Sequence, residues 1–101
     1  MVLAYCDNIK DYSYISNLEK LETLSLYNTN ISDISFLENN KNIKELDLKE
    51  CKNIKDYSFI SNLEKLEILQ IWNTNISDIS FIEKNKIIKA LVLANCDNIK
   101  D

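Results

Sequence analysis

Residues 24–31 of the chain read Leu-Ser-Leu-Tyr-Asn-Thr-Asn-Ile, and residues 46–54 read Leu-Asp-Leu-Lys-Glu-Cys-Lys-Asn-Ile. Both stretches place two leucines at alternate positions, follow them with Thr29 or Cys51, and end on an isoleucine. Alternating leucines are typical of a short strand that buries one of its faces. The shared skeleton indicates that the fold repeats this strand together with the segment that follows it.

Repetition covers the whole chain with a period of 45 residues. Residues 8–11 recur at 53–56 and 98–101, and residues 28–36 recur at 73–81. Each block divides into two related units, so we expect a single domain over residues 1–101 without separate caps. Its units are 1–23, 24–45, 46–68 and 69–90, followed by a half unit at 91–101.

A single unit cannot bury its apolar side alone, whereas a stack of units makes one continuous core. The sequence therefore predicts an α/β solenoid with a parallel β-sheet and short 3₁₀ or helical returns. The inward series is expected to contain Met1, Leu3, Leu24, Leu26, Leu46, Leu48, Leu69, Ile71, Leu91 and Leu93. The returns are expected to bury Ile31, Ile34, Phe36, Leu37, Ile54, Tyr57, Phe59, Ile60, Ile76, Ile79, Phe81 and Ile82.

Residues 30–37 (Asn-Ile-Ser-Asp-Ile-Ser-Phe-Leu) and 42–48 (Asn-Ile-Lys-Glu-Leu-Asp-Leu) resemble the short bacterial leucine-rich repeat found in internalins. The resemblance implies a solenoid with its parallel sheet on the concave face and its 3₁₀ or helical returns on the convex side. The usual turn Asn is replaced by Thr29 or Thr74 in one unit and by Cys6, Cys51 or Cys96 in the other. We expect no caps, signal peptide or wall anchor of the internalin kind, so the resemblance implies the fold rather than the cell-surface role.

Composition narrows the classes of function. The formal net charge is -4 and the pI is about 4.8, which argues against a general nucleic-acid binder and permits a basic protein partner. Residues 1–7 contain no basic region, and no stretch approaches the ~18 apolar residues of a membrane span. We therefore expect a cytoplasmic location and no membrane contact.

Two ladders of reactive side chains have structural explanations. Cys6, Cys51 and Cys96 lie two strands apart, on the order of 10 Å, which is too far for a disulfide, so we expect a buried turn ladder of Cys and Thr. An aspartate precedes each return, where it is expected to accept hydrogen bonds from free N–H groups rather than to bind calcium. These aspartates are Asp11, Asp33, Asp56, Asp78 and Asp101.

The sequence offers few residues that could form a catalytic site. The sequence contains no His, which excludes a Ser-His or Cys-His nucleophile pair, and no Gly, which excludes a Gly-rich phosphate loop. We therefore expect no enzyme activity, no cofactor and no metal.

The outward positions of the strands differ between units, whereas the returns are nearly identical. Tyr27 and Trp72 occupy equivalent positions, with Lys49 between them in the stack. Aromatic residues beside charges are typical of an interface centre, so we expect a non-catalytic module that binds protein on its concave face. Free drift of exposed positions is the competing interpretation. The predicted binding residues are Tyr5, Tyr27, Asn28, Glu45, Asp47, Lys49, Glu50, Gln70, Trp72 and Asn73.

Two further functions are compatible with the sequence. An acidic face with Glu45, Asp47 and Glu50 suits a phage or mobile-element inhibitor, of the anti-CRISPR kind, that blocks a basic nucleic-acid groove. Matching, uncapped ends suit a structural repeat that self-associates as a homodimer or head to tail, or a fragment of a larger leucine-rich repeat protein.

Overall fold

Four short parallel strands form one sheet in the order β1-β2-β3-β4. The computed structural model describes residues 1–3, 12–77, 79–81, 85 and 87–92. The strands are β1 (Thr23–Ser25), β2 (Glu45–Asp47), β3 (Ile68–Gln70) and β4 (Ala90–Val92). Their register aligns the middle residue of each strand, so Leu24, Leu46, Leu69 and Leu91 lie in one row. The predicted α/β solenoid with a parallel sheet is confirmed.

The strands are shorter than the pattern of alternating leucines predicts. Each has three residues, so the second apolar residue of the first three strands, Leu26, Leu48 or Ile71, lies just beyond the strand. The backbone ladder nevertheless continues there, because the N–H groups of Leu26 and Leu48 donate to Asp47 and Gln70 in the next unit, both at 2.8 Å. The regular stack therefore extends past each strand into the following turn.

Three of the returns each contain a short 3₁₀ helix in the described part of the chain, at Ser13–Asn17, Ser35–Asn39 and Ser58–Asn62. The carboxylate of Asp33 accepts the Ser35 N–H at 2.8 Å, and that of Asp56 accepts the Ser58 N–H at 2.9 Å. The expected role is confirmed for these two aspartates. Asp11, Asp78 and Asp101 lie outside the described residues.

The core runs between the sheet and the returns as one cluster. Leu24, Leu46 and Leu69 are at most 1% exposed, and the return isoleucines and phenylalanines pack against them. Met1 departs from the expected inward series, since it is 42% exposed. It lies beyond β1, where Val2 pairs with Ser25 and a neighbouring strand covers one side only. Leu93 and Ile82 lie outside the described residues.

A buried asparagine links consecutive returns in each block, a contact that the repeat pattern does not predict. The amide of Asn40 donates to the carbonyls of Ile15 at 2.9 Å and Leu18 at 3.1 Å. Asn85, 45 residues later, donates in the same way to the carbonyls of Ile60 and Leu63. The Oδ1 atoms of both asparagines are buried without a hydrogen-bond partner among the described residues. Each asparagine therefore fixes the spacing of two returns through its Nδ2 donors.

The described helices are short turns of 3₁₀ helix, and none of them combines the length and the apolar character that crossing a bilayer requires.

We predict that Asn40→Asp lowers the free energy of unfolding by about 3 kcal/mol or more, because an oxygen replaces the donor and a carboxylate becomes buried against two carbonyls. Asn39→Asp, an exposed neighbour, should change it by no more than about 0.5 kcal/mol. Urea denaturation at neutral and acidic pH measures both. The loss in Asn40→Asp should shrink on acidification, and equal effects of the two substitutions would show that the amide links are unimportant.

Acid should weaken the fold through the two described aspartates. Hydrogen bonds from Ser35 to Asp33 and from Ser58 to Asp56 lower the pKa of each carboxyl below its ordinary value of 3.8. Their contribution is therefore present above that value and is lost as the pH falls through the lower pKa of the folded state.

The double variant Asp33→Asn, Asp56→Asn keeps the oxygen acceptors and removes the charges, so its stability should fall less steeply than that of the wild type below about pH 4. Glu38→Gln, an exposed carboxyl of the second 3₁₀ helix, serves as the control. Denaturation midpoints measured across the acid range provide the comparison. Parallel acid limbs in the wild type and the double variant would rule out this role.

Candidate functional site

Outward positions of the four strands, and of the turns after the first three, lie on one surface, called here the strand face. The strand register aligns Thr23, Glu45, Ile68 and Ala90 in one row and Ser25, Asp47, Gln70 and Val92 in the next. A third row, in the turns, contains Tyr27, Lys49 and Trp72. A fourth contains Asn28, Glu50 and Asn73. The structure therefore brings together the predicted binding residues, except Tyr5, which lies outside the described residues.

Asp47 is the most constrained carboxylate of the strand face. Its Oδ2 accepts the Ser25 hydroxyl at 3.1 Å, and its Oδ1 accepts the Lys49 backbone N–H at 3.0 Å. The Lys49 ammonium lies 3.7 Å from the same Oδ2, and both charged side chains are only about one-fifth exposed (21% and 20%). This shielding makes the ion pair stronger than a fully exposed one.

Lys49 also contacts an aromatic ring of the preceding unit. Its Nζ lies 5.0 Å from the centre of the Tyr27 ring, within the range of a cation–π interaction. One ammonium group therefore connects β2 to the turn after β1. Tyr27, Lys49 and Asp47 form a cluster that the fold holds in place without a partner.

Trp72 is partly buried although it occupies an outward position of the repeat. Part of the residue therefore stays accessible to solvent. Trp72 is the only tryptophan of the chain.

The fourth row adopts a backbone conformation that alternation alone did not predict. Asn28, Glu50 and Asn73 have positive φ angles of 53°, 61° and 55°. Asparagine tolerates this left-handed region, whereas a glutamate there is uncommon. Glu50 is held by its neighbours, because its N–H donates to the Trp72 carbonyl at 3.1 Å and its Oε1 accepts the Asn73 amide at 3.2 Å.

A charged row at the amino ends of the strands was also missed. Glu22, Lys44, Glu67 and Lys89 immediately precede β1 to β4 and alternate in sign. Lys44 pairs with Glu22 at 3.2 Å, and Lys89 with Glu67 at 2.8 Å. A hydrogen bond and the charge of Lys89 lower the pKa of Glu67, and Glu67 raises the pKa of Lys89. Comparing the residue before each strand would have revealed this alternation in the sequence.

Cys51 is part of the scaffold and not of the strand face. It is buried, its thiol donates to the Leu26 carbonyl at 2.8 Å, and its sulfur lies 3.7 Å from the Thr29 hydroxyl. Burial raises the pKa of the thiol above its ordinary value, which disfavours the reactive thiolate. Thr29, Cys51 and Thr74 are buried, as predicted for the turn ladder, while Cys6 and Cys96 lie outside the described residues. Within the described ranges, no His, Cys, Asp and Glu side chains group to hold a metal ion.

Solved structures with the same architecture include two internalins and a further leucine-rich repeat protein. An internalin of Listeria monocytogenes is 33% identical with a TM-score of 0.76, covering 80% of this chain and 24% of that protein. An internalin C2 of the same species is 26% identical with a TM-score of 0.78, covering 84% and 37%. A leucine-rich repeat protein of Leptospira interrogans has a TM-score of 0.76 at 21% identity, covering 93% and 28%. The chain thus spans about a quarter to just over a third of these proteins.

No curated protein sequence matches the chain significantly.

A family model described as a BspA-type leucine-rich repeat region matches residues 2–100 in six copies. Domains of this kind are generally protein-binding modules and typically non-enzymatic. The match, together with the internalin-like structures, agrees with the parallel sheet and the 3₁₀ returns. The chain therefore belongs to the BspA-type leucine-rich repeat family, and its fold is similar to that of the internalins.

Proposed function

We propose that the strand face binds a protein partner, with Trp72, Tyr27, Lys49 and Asp47 at the centre of the contact. The observation that carries this proposal is the cluster of Tyr27, Lys49 and Asp47, which is held by one ion pair, one cation–π contact and two further hydrogen bonds. Trp72 lies in the same row of the stack.

The composition of this centre matches that of interfaces elsewhere. Tryptophan and tyrosine dominate binding energy at interface centres, and side chains fixed in advance lose less entropy on binding. Asp47 and Lys49 are fixed by their mutual contacts and by Ser25, so the free protein already holds them in place. This preorganisation favours binding over the drift of unrelated exposed positions.

The two sides of the repeat also differ in how freely they vary. Residues 28–36 recur unchanged at 73–81, while the strand positions Glu45 and Asp47 become Ala90 and Val92 one block later. The returns carry the buried core, so packing constrains them. Variation concentrated on the strand face is the pattern expected where a scaffold is retained and one surface is adapted to a partner.

The charge of the strand face indicates what kind of partner protein would fit it. Glu45, Asp47 and Glu50 oppose the single ammonium of Lys49 on this part of the face, and the chain carries a net charge of -4. A partner with basic side chains around an apolar contact complements this surface.

Isolating the partner from the native host and measuring its affinity for variants tests the proposal. Tyr27→Ala and Trp72→Ala should each weaken binding by about tenfold or more, as expected for aromatic residues at an interface centre. The measurement is isothermal titration calorimetry on variants whose folding has been checked by circular dichroism.

Tyr14→Ala is the matched control, since Tyr14 is 44% exposed and lies on the first 3₁₀ helix, on the return side. It should change the affinity less than about twofold. Full affinity in both strand-face variants, or a loss confined to Tyr14→Ala, would place the binding site elsewhere.

A further inference from the structure

The cluster at Lys49 shows how this fold binds a cation. The ammonium lies 3.7 Å from the Asp47 carboxylate and 5.0 Å from the centre of the Tyr27 ring. A ring and a carboxylate on adjacent strands thus hold one positive charge between them. The ring attracts the charge through its quadrupole, and the carboxylate attracts it directly.

The duplicated block repeats the ring but not the cation. Trp72 is the equivalent of Tyr27, 45 residues later, whereas position 94, the equivalent of Lys49, is an alanine. Position 92, the equivalent of Asp47, is a valine. The chain therefore does not encode at position 94 the lysine that would cover Trp72 as Lys49 covers Tyr27.

Glu50 supplies a carboxylate beside Trp72 from the other side. Its backbone N–H donates to the Trp72 carbonyl at 3.1 Å, and its Oε1 accepts the Asn73 amide at 3.2 Å, which draws the carboxylate towards the turn after β3. Lys49 is already engaged with Asp47 and Tyr27 in the opposite direction. Glu50 keeps this place in a left-handed conformation that the equivalent turns give to asparagine.

We propose that Trp72 and Glu50 bind a lysine or arginine side chain of the partner protein, in the way that Tyr27 and Asp47 bind Lys49. This inference rests on the proposed function and adds the chemistry of the contact. The partner's cation packs against the indole and pairs with the second oxygen of the Glu50 carboxylate, because Oε1 accepts the Asn73 amide.

Titration with a small probe tests this site in the full chain without the partner. The probe is N-acetyl-arginine amide, and its uncharged counterpart is N-acetyl-citrulline amide at matched ionic strength. Because Trp72 is the only tryptophan, its indole N–H gives one unambiguous nuclear magnetic resonance signal. The signal should move with the arginine probe at concentrations up to about 0.2 M, the range that a contact of this strength requires, and much less with citrulline.

Substitutions on the strand face locate the response. Glu50→Gln should reduce the slope of the titration by about threefold, because it removes the charge and keeps the shape. Glu38→Gln, an exposed carboxyl of the second 3₁₀ helix on the return side, should leave the slope unchanged. Lys49→Ala frees the site at Tyr27 and Asp47, so the Tyr27 ring signals should begin to respond to the arginine probe.

Equal responses to arginine and citrulline, no response up to the highest concentration, or an unchanged slope in Glu50→Gln would overturn the cation site. The proposed function is tested separately. If the probe fails while Trp72→Ala and Tyr27→Ala still weaken partner binding, the strand face binds protein without this site. If those substitutions leave partner binding intact, the proposed function itself is wrong.

Discussion

Each unit has one apolar side and can bury it only against the next unit, and this constraint governs the rest of the structure. Leu24, Leu46, Leu69 and Leu91 align in one parallel register, and the buried residues of the returns close over them. The stack requires every return to rise by the same amount. Asn40 and Asn85 meet that requirement by donating to the carbonyls of the preceding return, and Asp33 and Asp56 do so by ordering the start of each 3₁₀ helix.

The same constraint separates stability from function. The buried side chains of the returns form part of the core, so a change to one of them disturbs the stack. Outward strand positions contribute little to the core, and they are free to carry charges and rings. The amino ends of the strands use that freedom for ion pairs between Glu22 and Lys44 and between Glu67 and Lys89, which leave that edge close to neutral. The rows containing Asp47, Lys49 and Trp72 keep a mixture of aromatic and charged groups.

Much of the fold was predictable because it depends on periodicity. The inward leucines, the turn aspartates and the placement of Tyr27, Lys49 and Trp72 in one row all follow from aligning the units. Asn40 was not predictable, because its position corresponds to Leu18 and Leu63 in the alternate units and a polar side chain there suggests exposure. The contacts of Lys49 and the left-handed turn at Glu50 depend on how far side chains reach between units. An alignment of equivalent positions gives no such distances.

We expect the partner to contact the strand face and not the return side. Photo-reactive benzoylphenylalanine is placed either at Gln70, in the middle of the strand face, or at the exposed Ser58, the first residue of the third 3₁₀ helix. Comparing the two variants tests which side contacts the partner. After irradiation of the complex with the partner isolated on the wild-type chain, a covalent product should form from position 70 and not from position 58. A product formed from position 58 alone would contradict the account.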